Sequence, residues 1–144
     1  MDKAVKGFTL IELVVVITIL GILAAFAFPR FAALETEARE ATVNGLAGSI
    51  RAASALSHSL SLVQGGPASV VMEGNTITMT NGYPAESAIH LTLTEYTGFT
   101  LNSSGTPVTF TPSGAGTPAN CQVQYTEAGV GGTPTINAST SDCS

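Results

Sequence analysis

The chain has 144 residues, enough for one domain plus one long additional element but not for two full domains. Charged residues make up 10% and hydrophobic residues 44%, which excludes a disordered chain and argues against a nucleic-acid-binding protein. The formal net charge is -5, and every Lys and Arg lies in the first half of the chain. This asymmetry predicts an outward-facing, weakly acidic domain.

The first predicted element is an apolar helix of membrane length. Residues 8–28 would span about 31 Å at 1.5 Å per residue, close to the hydrocarbon core of a bilayer at about 30 Å. Lys3 and Lys6 precede this run, so the positive-inside tendency places the N-terminus in the cytoplasm and exports the rest. A secretory signal peptide is the alternative, although its apolar core is usually shorter; a weak cleavage site is formed by Ala24, Ala25 and Ala27.

Glu12 lies inside this apolar run, close to its front edge. An ionised carboxylate in a bilayer costs several kcal/mol unless something neutralises it. The cost falls if the carboxylate stays near the headgroups, binds a proton or meets a cation. In the simplest alternative, the carboxyl group stays protonated near the interface and has no further role.

The helical pattern continues past Pro29 to about residue 63. Apolar residues recur there at steps of three and four and predict one core-facing stripe, which consists of Val43, Leu46, Ile50, Ala53, Leu56, Leu60 and Val63. Gly45 and Gly48 weaken this segment by about 1 kcal/mol each relative to Ala. Packing against a partner must therefore hold it.

From residue 64 onward, the composition indicates short strands. Residues 69–72 and 76–80 flank Glu73-Gly74-Asn75 and predict a β-hairpin, and residues 81–84 predict a turn. Residues 85–93 fit a short helix or a strand. Residues 108–110 and 122–125 are further predicted strands, the first at a sheet edge because Pro107 and Pro112 flank it. The predicted fold is α+β, a long N-terminal helix packed on a small antiparallel sheet.

Two cysteines, Cys121 and Cys143, lie near the C-terminus. They are either two unrelated buried thiols or a disulfide that closes a loop in an oxidising compartment. The membrane-insertion signal on the same chain favours the disulfide. Closure of a loop of this length contributes about 3 kcal/mol to stability.

No catalytic or metal-binding constellation is predicted. His58 and His90 have no Cys or carboxylate at metal-ligand spacing, so both are interpreted as structural. The acids of the second half are scattered and form neither a carboxylate pair nor a calcium loop. The sequence therefore predicts neither an enzyme nor a cofactor or metal site.

Residues 7–12, GFTLIE, follow a short basic leader and open the apolar run. This combination resembles the type IV prepilin signal, a specific motif that joins a Gly before an aromatic, a Glu four residues beyond that aromatic and a membrane-length helix. Several further features resemble the mannose-sensitive haemagglutinin (MSHA) pilins of the type IVa class: Gly21, Pro29, residues 31–65, the NGYP turn at 81–84 and the terminal cysteine pair.

The resemblance implies how the chain is processed. A prepilin peptidase in the membrane would cleave after Gly7 and methylate the new amine on Phe8. Loss of Asp2, Lys3 and Lys6 would then change the formal charge from -5 to -6. The implied parts are a cleaved leader at 1–7, a long helix at 8–63 with a kink near Gly21 and Pro29, and a β-rich globular region at 64–144.

The resemblance also gives Glu12 a role. We hypothesise that its carboxylate pairs with the Phe8 amine of a neighbouring subunit and sets the register of assembly, because such a pair is far stronger in a dry helical bundle than in water. The interval from Gly21 to Pro29 would lose helical structure in the filament and let it stretch.

The function implied is that of a structural subunit, not a catalyst. The chain would sit in the inner membrane of a Gram-negative bacterium and then polymerise with other pilin subunits, through the assembly machinery, into an extracellular pilus. Surface adhesion, biofilm formation and motility would follow, with receptor contacts in the loop 121–143. The alternatives are a pseudopilin of a type II secretion system, whose major subunit typically carries calcium in place of this disulfide loop, and a monomeric membrane-anchored binding domain.

Overall fold

The computed structural model describes residues 7–144, and the predicted leader bases Lys3 and Lys6 lie outside the described residues. One long helix, α1, is followed by two short 3-10 helices and seven strands. In chain order the elements are α1 (Leu10–Val63), β1 (Ser69–Met72), β2 (Asn75–Thr80), β3 (Tyr83–Pro84), a 3-10 helix (Ile89–Thr92), β4 (Phe99–Asn102), β5 (Val108–Pro112), a second 3-10 helix (Pro118–Asn120), β6 (Cys121–Thr126) and β7 (Thr135–Thr140).

The chain divides into two compact units, Met1–Glu35 and Thr36–Ser144. We call residues 7–35, the described part of the first, the N-terminal unit, and we call the second unit the head. The boundary falls inside α1. Every residue of the N-terminal unit is exposed, whereas the buried residues of α1 begin at Val43.

The head contains two antiparallel sheets where the sequence predicted one. The first sheet has the strand order β1-β2-β3 and the second has the order β4-β5-β6-β7. One buried cluster joins α1 to the second sheet, and its members include Val43, Ile50, Ile89, Phe110 and Tyr125. A smaller cluster lies under the first sheet and contains Val70, Ile77, Met79 and Ala88. The predicted α+β architecture is confirmed.

Two tight turns give the first sheet its register. Glu73 and Gly74 have φ values of 49° and 85°, so they form the left-handed two-residue turn that suits the twist of a hairpin. Asn81 and Gly82 repeat this geometry at 53° and 85° between β2 and β3. The predicted hairpin is therefore confirmed, with β2 beginning at Asn75.

The prediction of an edge position for residues 108–110 is wrong, because β5 lies between β4 and β6. Pro107 precedes the strand, and Pro112 ends it opposite Phe99, so neither removes a donor from the middle of the ladder. The ambiguous residues 85–93 contain the 3-10 helix Ile89–Thr92. The sequence analysis missed β4 and β7, which are rich in Thr, Asn and Ser.

The predicted apolar stripe is correct in its first half and at Leu60, which packs against the smaller cluster. Val43, Leu46 and Ile50 are buried, but Leu56 is 60% exposed and Val63 is 85% exposed. The core face continues instead through three buried serines, Ser54, Ser57 and Ser61. Small side chains let the first sheet approach α1 closely, and the Ser57 hydroxyl lies 3.1 Å from Met72 Sδ. At these three positions, steric fit and not hydrophobicity determines which face of α1 is buried.

Candidate functional site

The predicted cleavage point lies just before α1. Gly7, Phe8 and Thr9 are outside the helix, and the Phe8 side chain is 86% exposed. The Gly7–Phe8 peptide bond is therefore not protected by helical hydrogen bonds. This arrangement is compatible with the predicted cleavage and methylation at Gly7 and Phe8, which stay predictions.

Glu12 takes part in a capping box with Thr9. The Thr9 backbone N–H and hydroxyl donate to Glu12 Oε2 at 2.8 and 2.7 Å, and the Glu12 N–H donates to the Thr9 hydroxyl at 3.3 Å. The Leu13 N–H donates to Thr9 O at 3.3 Å as the first helical bond. Thr9 is therefore the N-cap and Glu12 the third helical residue, the spacing that a capping box requires. The sequence analysis missed Thr9, although Thr-x-x-Glu before an apolar run is the signature of this cap.

The cap lowers the free-energy cost of an ionised Glu12 carboxylate in this apolar segment. Two donors from its own chain stabilise the carboxylate, and its place in the first turn complements the helix dipole. Both of those bonds end on Oε2. A cation from outside the chain can therefore approach Oε1 without breaking the cap.

Beyond the cap, α1 exposes an apolar surface of membrane length. The large side chains from Leu10 to Phe31 are between 45% and 80% exposed. Helix α1 is long and apolar enough to cross a bilayer, and none of its most apolar window is buried within the chain. Side chains with these properties need lipid or other protein around them.

The predicted kink residues lie within this segment. Pro29 is inside α1, and Gly21 is helical with nothing within 4 Å of the position that a Cβ would take. The assigned helix runs through both residues. The predicted loss of helix between them concerns an assembled filament and stays a prediction.

The predicted disulfide is confirmed. Cys121 and Cys143 are bonded, 22 residues apart in sequence, and both are fully buried. The predicted loop 121–143 is mostly the hairpin of β6 and β7, and β6 is largely buried, so it offers little of itself for contacts. The exposed part is the connection between the strands, where Val130 is 95% exposed.

Two arginines of α1 donate hydrogen bonds to β7 and to the residues that follow it. Arg39 Nη1 donates to Cys143 O at 3.0 Å, and Arg51 Nη2 donates to Ile136 O at 3.1 Å. Asp142 accepts bonds from the Thr117 and Ser144 hydroxyls, at 2.9 and 2.7 Å. These bonds, led by those from Ser144, lower the pKa of Asp142.

A buried polar contact links the two sheets. The Tyr125 hydroxyl donates to Pro84 O at 2.6 Å, and burial raises the pKa of Tyr125 to about 12. Asn81 Nδ2 donates to Ala128 O at 2.7 Å, and the Glu86 N–H donates to Glu127 Oε2 at 3.0 Å. These three contacts hold the two sheets of the head together.

The two histidines have separate surroundings. The His58 ring stacks on Tyr83 with centroids 4.0 Å apart, and its Nδ1 lies 2.7 Å from Gly82 O. His90 Nδ1 is buried without a hydrogen-bond partner among residues 7–144. Within those residues, no three His, Cys, Asp or Glu side chains come together as potential metal ligands.

Comparisons with known proteins bear on the N-terminal region. Residues 2–28 match the family model of the prokaryotic N-terminal methylation motif. A 51-residue stretch is 53% identical to the type IV narrow pilus major component PilA5 of Thermus thermophilus. That stretch covers 35% of this chain and 44% of the relative, so the chain spans less than half of that protein's length. No solved structure matches the chain.

The motif, the relative and the fold agree. Together they support a type IV pilin. The long N-terminal helix, the antiparallel sheets and the disulfide-closed C-terminal loop are those of the pilin fold. The methylation motif covers Gly7, Phe8 and Glu12, and it overlaps most of the exposed apolar segment of α1. The MSHA subclass stays a prediction.

Proposed function

We propose that this pilin, once cleaved after Gly7 and methylated on Phe8, is the structural subunit of an extracellular type IV pilus. The observation that carries the proposal is the exposed apolar helix of the N-terminal unit, which contrasts with a head that buries its own core. The bilayer would cover this helix before assembly, and the helices of other subunits would cover it afterwards.

Glu12 is the proposed assembly residue. Cleavage would create a cationic amine on Phe8, one residue before the cap. We propose that this amine pairs with Glu12 of a neighbouring subunit through Oε1 while Thr9 keeps Oε2. A charge pair in a water-poor bundle disfavours wrong registers strongly, so it would align one subunit axially against the next.

The finer parts of the proposal follow from the resemblance. The precursor would be an inner-membrane protein of a Gram-negative bacterium with its head in the periplasm, processed by a prepilin peptidase and exported by the pilus assembly machinery. The pilus, of MSHA type, would serve surface adhesion, biofilm formation and motility. The interval from Gly21 to Pro29 would be the extensible part of the filament core.

Two measurements on sheared surface material test the proposal. We expect mass spectrometry to find N-methylated Phe8 as the first residue and electron microscopy to find filaments. Glu12→Gln should be processed normally but yield far fewer filaments. Glutamine at this position keeps the capping box and removes only the charge.

Thr9→Ala is the matched control, because it removes the capping hydroxyl and keeps the Glu12 charge. Its filament yield should lie closer to that of the wild type than that of Glu12→Gln. An unprocessed Met1 terminus would contradict the filament assignment. A normal filament yield from Glu12→Gln would contradict the charge pairing alone.

The disulfide favours a pilin over a pseudopilin of a secretion system. Metal analysis of the folded protein separates the two functions. Stoichiometric bound calcium would support the pseudopilin instead.

A further inference from the structure

Two glycines in the head have no explanation within the subunit. Gly45 and Gly48 lie in the middle of α1 and have ordinary helical φ values. A Cβ added at either position would meet nothing within 4 Å. Glycine destabilises a helix relative to alanine, so internal structure alone would favour alanine at both positions. A close approach by something outside the subunit gives glycine a purpose there.

A groove lies beside Gly45 within the head. One part, of about 470 Å³, is lined by Gly45 and Ser49 of α1 and, from the other side, by Glu95 and Tyr96. A second depression of about 480 Å³ shares Ser49 and Glu95 with the first, so the two are continuous. Gly45 therefore lies in the wall of the groove, and Gly48 is exposed three residues further along α1.

The groove carries a negative charge. Glu95 is the only charged residue that lines either depression within the described head. It is exposed, and its carboxylate accepts a hydrogen bond from the Thr97 hydroxyl. The groove therefore suits a segment that combines apolar side chains with one cation.

The pilin itself supplies such a segment. The chain has three arginines, and Arg39 and Arg51 donate to carbonyl groups of their own head. The third, Arg30, is exposed, and the flanking Phe28 and Phe31 are 78% and 69% exposed. This aromatic–Arg–aromatic segment matches the groove in charge and in apolar character.

We propose that the groove of one pilin docks residues 26–31 of a second copy, with Arg30 against Glu95. Gly45 and Gly48 let the backbone of the second copy approach α1 closely, as small residues do between packed helices. The guanidinium can bind the carboxylate in a two-bond geometry that also specifies orientation. This interface rests on the proposed filament function and gives it a second contact, between the head of one subunit and the apolar helix of another.

The glycine test relies on opposite effects on the monomer and the filament. In full-length pilin in detergent, Gly45→Ala and Gly48→Ala should each raise the thermal midpoint by about 4 °C. In cells, each should lower the yield of sheared filaments although the subunit is more stable. A raised midpoint with a normal filament yield would overturn the proposal, and so would a lowered midpoint.

The charge test relies on rescue. Arg30→Glu and Glu95→Arg should each lower filament yield about tenfold or more, and the double variant should restore it. The matched control combines Arg30→Glu with Glu37→Arg, which reverses an exposed acid of α1 outside the groove and leaves the net charge the same as in the double variant. No restoration, or equal restoration by the control, would overturn the docking.

The wild type separates this proposal from the filament proposal. Processed Phe8 and filaments from the wild type, together with failed rescue, would leave the filament function standing and remove only the groove interface. Absence of wild-type filaments would overturn both. The amount of processed subunit in the membrane should be equal in all variants, which excludes an effect on insertion.

Discussion

Phenylalanine side chains have opposite environments in the head and in the N-terminal unit. Phe110 is completely buried between α1 and the second sheet, whereas Phe26 is 74% exposed on the apolar helix. The head buries its core hydrophobic side chains when it folds. The N-terminal unit leaves its hydrophobic side chains exposed, so they need lipid or other protein around them. Hydrophobic side chains therefore serve folding in the head, whereas those of the N-terminal unit stay available for contacts outside the chain.

The largest expected effect comes from truncating one phenylalanine in each region. Phe110→Ala should lower the free energy of unfolding by about 3–5 kcal/mol, because it removes a buried ring and leaves a cavity. Phe26→Ala should leave the free energy of unfolding almost unchanged and lower filament yield. Denaturant unfolding of the whole protein in detergent measures the first quantity, and shearing of filaments measures the second.

A destabilised head in Phe26→Ala would break the comparison, because it would mean that the apolar helix contributes to folding of the subunit. An unchanged free energy of unfolding in Phe110→Ala would also contradict the comparison, because it would mean that the buried ring does not stabilise the head.

The next effect concerns the covalent link in the head. Replacing Cys121 and Cys143 together by Ala should lower the free energy of unfolding by about 3 kcal/mol, because the open loop gains freedom in the unfolded chain. Urea unfolding measures the change, and wild-type protein treated with a reductant is the control that should give a similar value. A midpoint equal to that of the oxidised wild type would contradict this prediction.

The smallest expected effect is a pH dependence of the free energy of unfolding, which tests the burial of Tyr125 in the head core. Burial raises the pKa of Tyr125 to about 12, against about 10 in an unfolded chain, so the folded state keeps the proton that the unfolded state loses. The contribution of Tyr125 is complete below pH 10 and is lost as the pH rises towards 12. The free energy of unfolding should fall by about 2 kcal/mol over that range.

Tyr125→Phe is the control for this titration. It loses the hydrogen bond to Pro84 O and should be less stable at pH 8, but its stability should fall less between pH 10 and 12. Equal slopes in wild type and variant would assign the decline to other groups.

Apart from the Cys121–Cys143 disulfide, the features that can be predicted from the sequence are local ones. The turns at Glu73-Gly74 and Asn81-Gly82 depend on the φ preferences of adjacent residues. The capping box depends on Thr9 and Glu12, which lie three positions apart, and was readable although it was missed. The apolar run depends only on composition. Each feature depends on residues that are near neighbours in sequence, so sequence patterns contain its causes.

Apart from the disulfide, features that depend on distant residues came only from the tertiary structure. The core face of α1 passes through Ser54, Ser57 and Ser61 and not through Leu56, because close packing there requires small side chains. The contact between Arg39 and Cys143 O joins residues 104 positions apart. The sequence by itself determined the membrane-length helix, the turns and the methylation motif, since those depend on near neighbours. Only folding decided which face of α1 is buried, which strand is central and where a groove is left, because those depend on which distant surfaces meet.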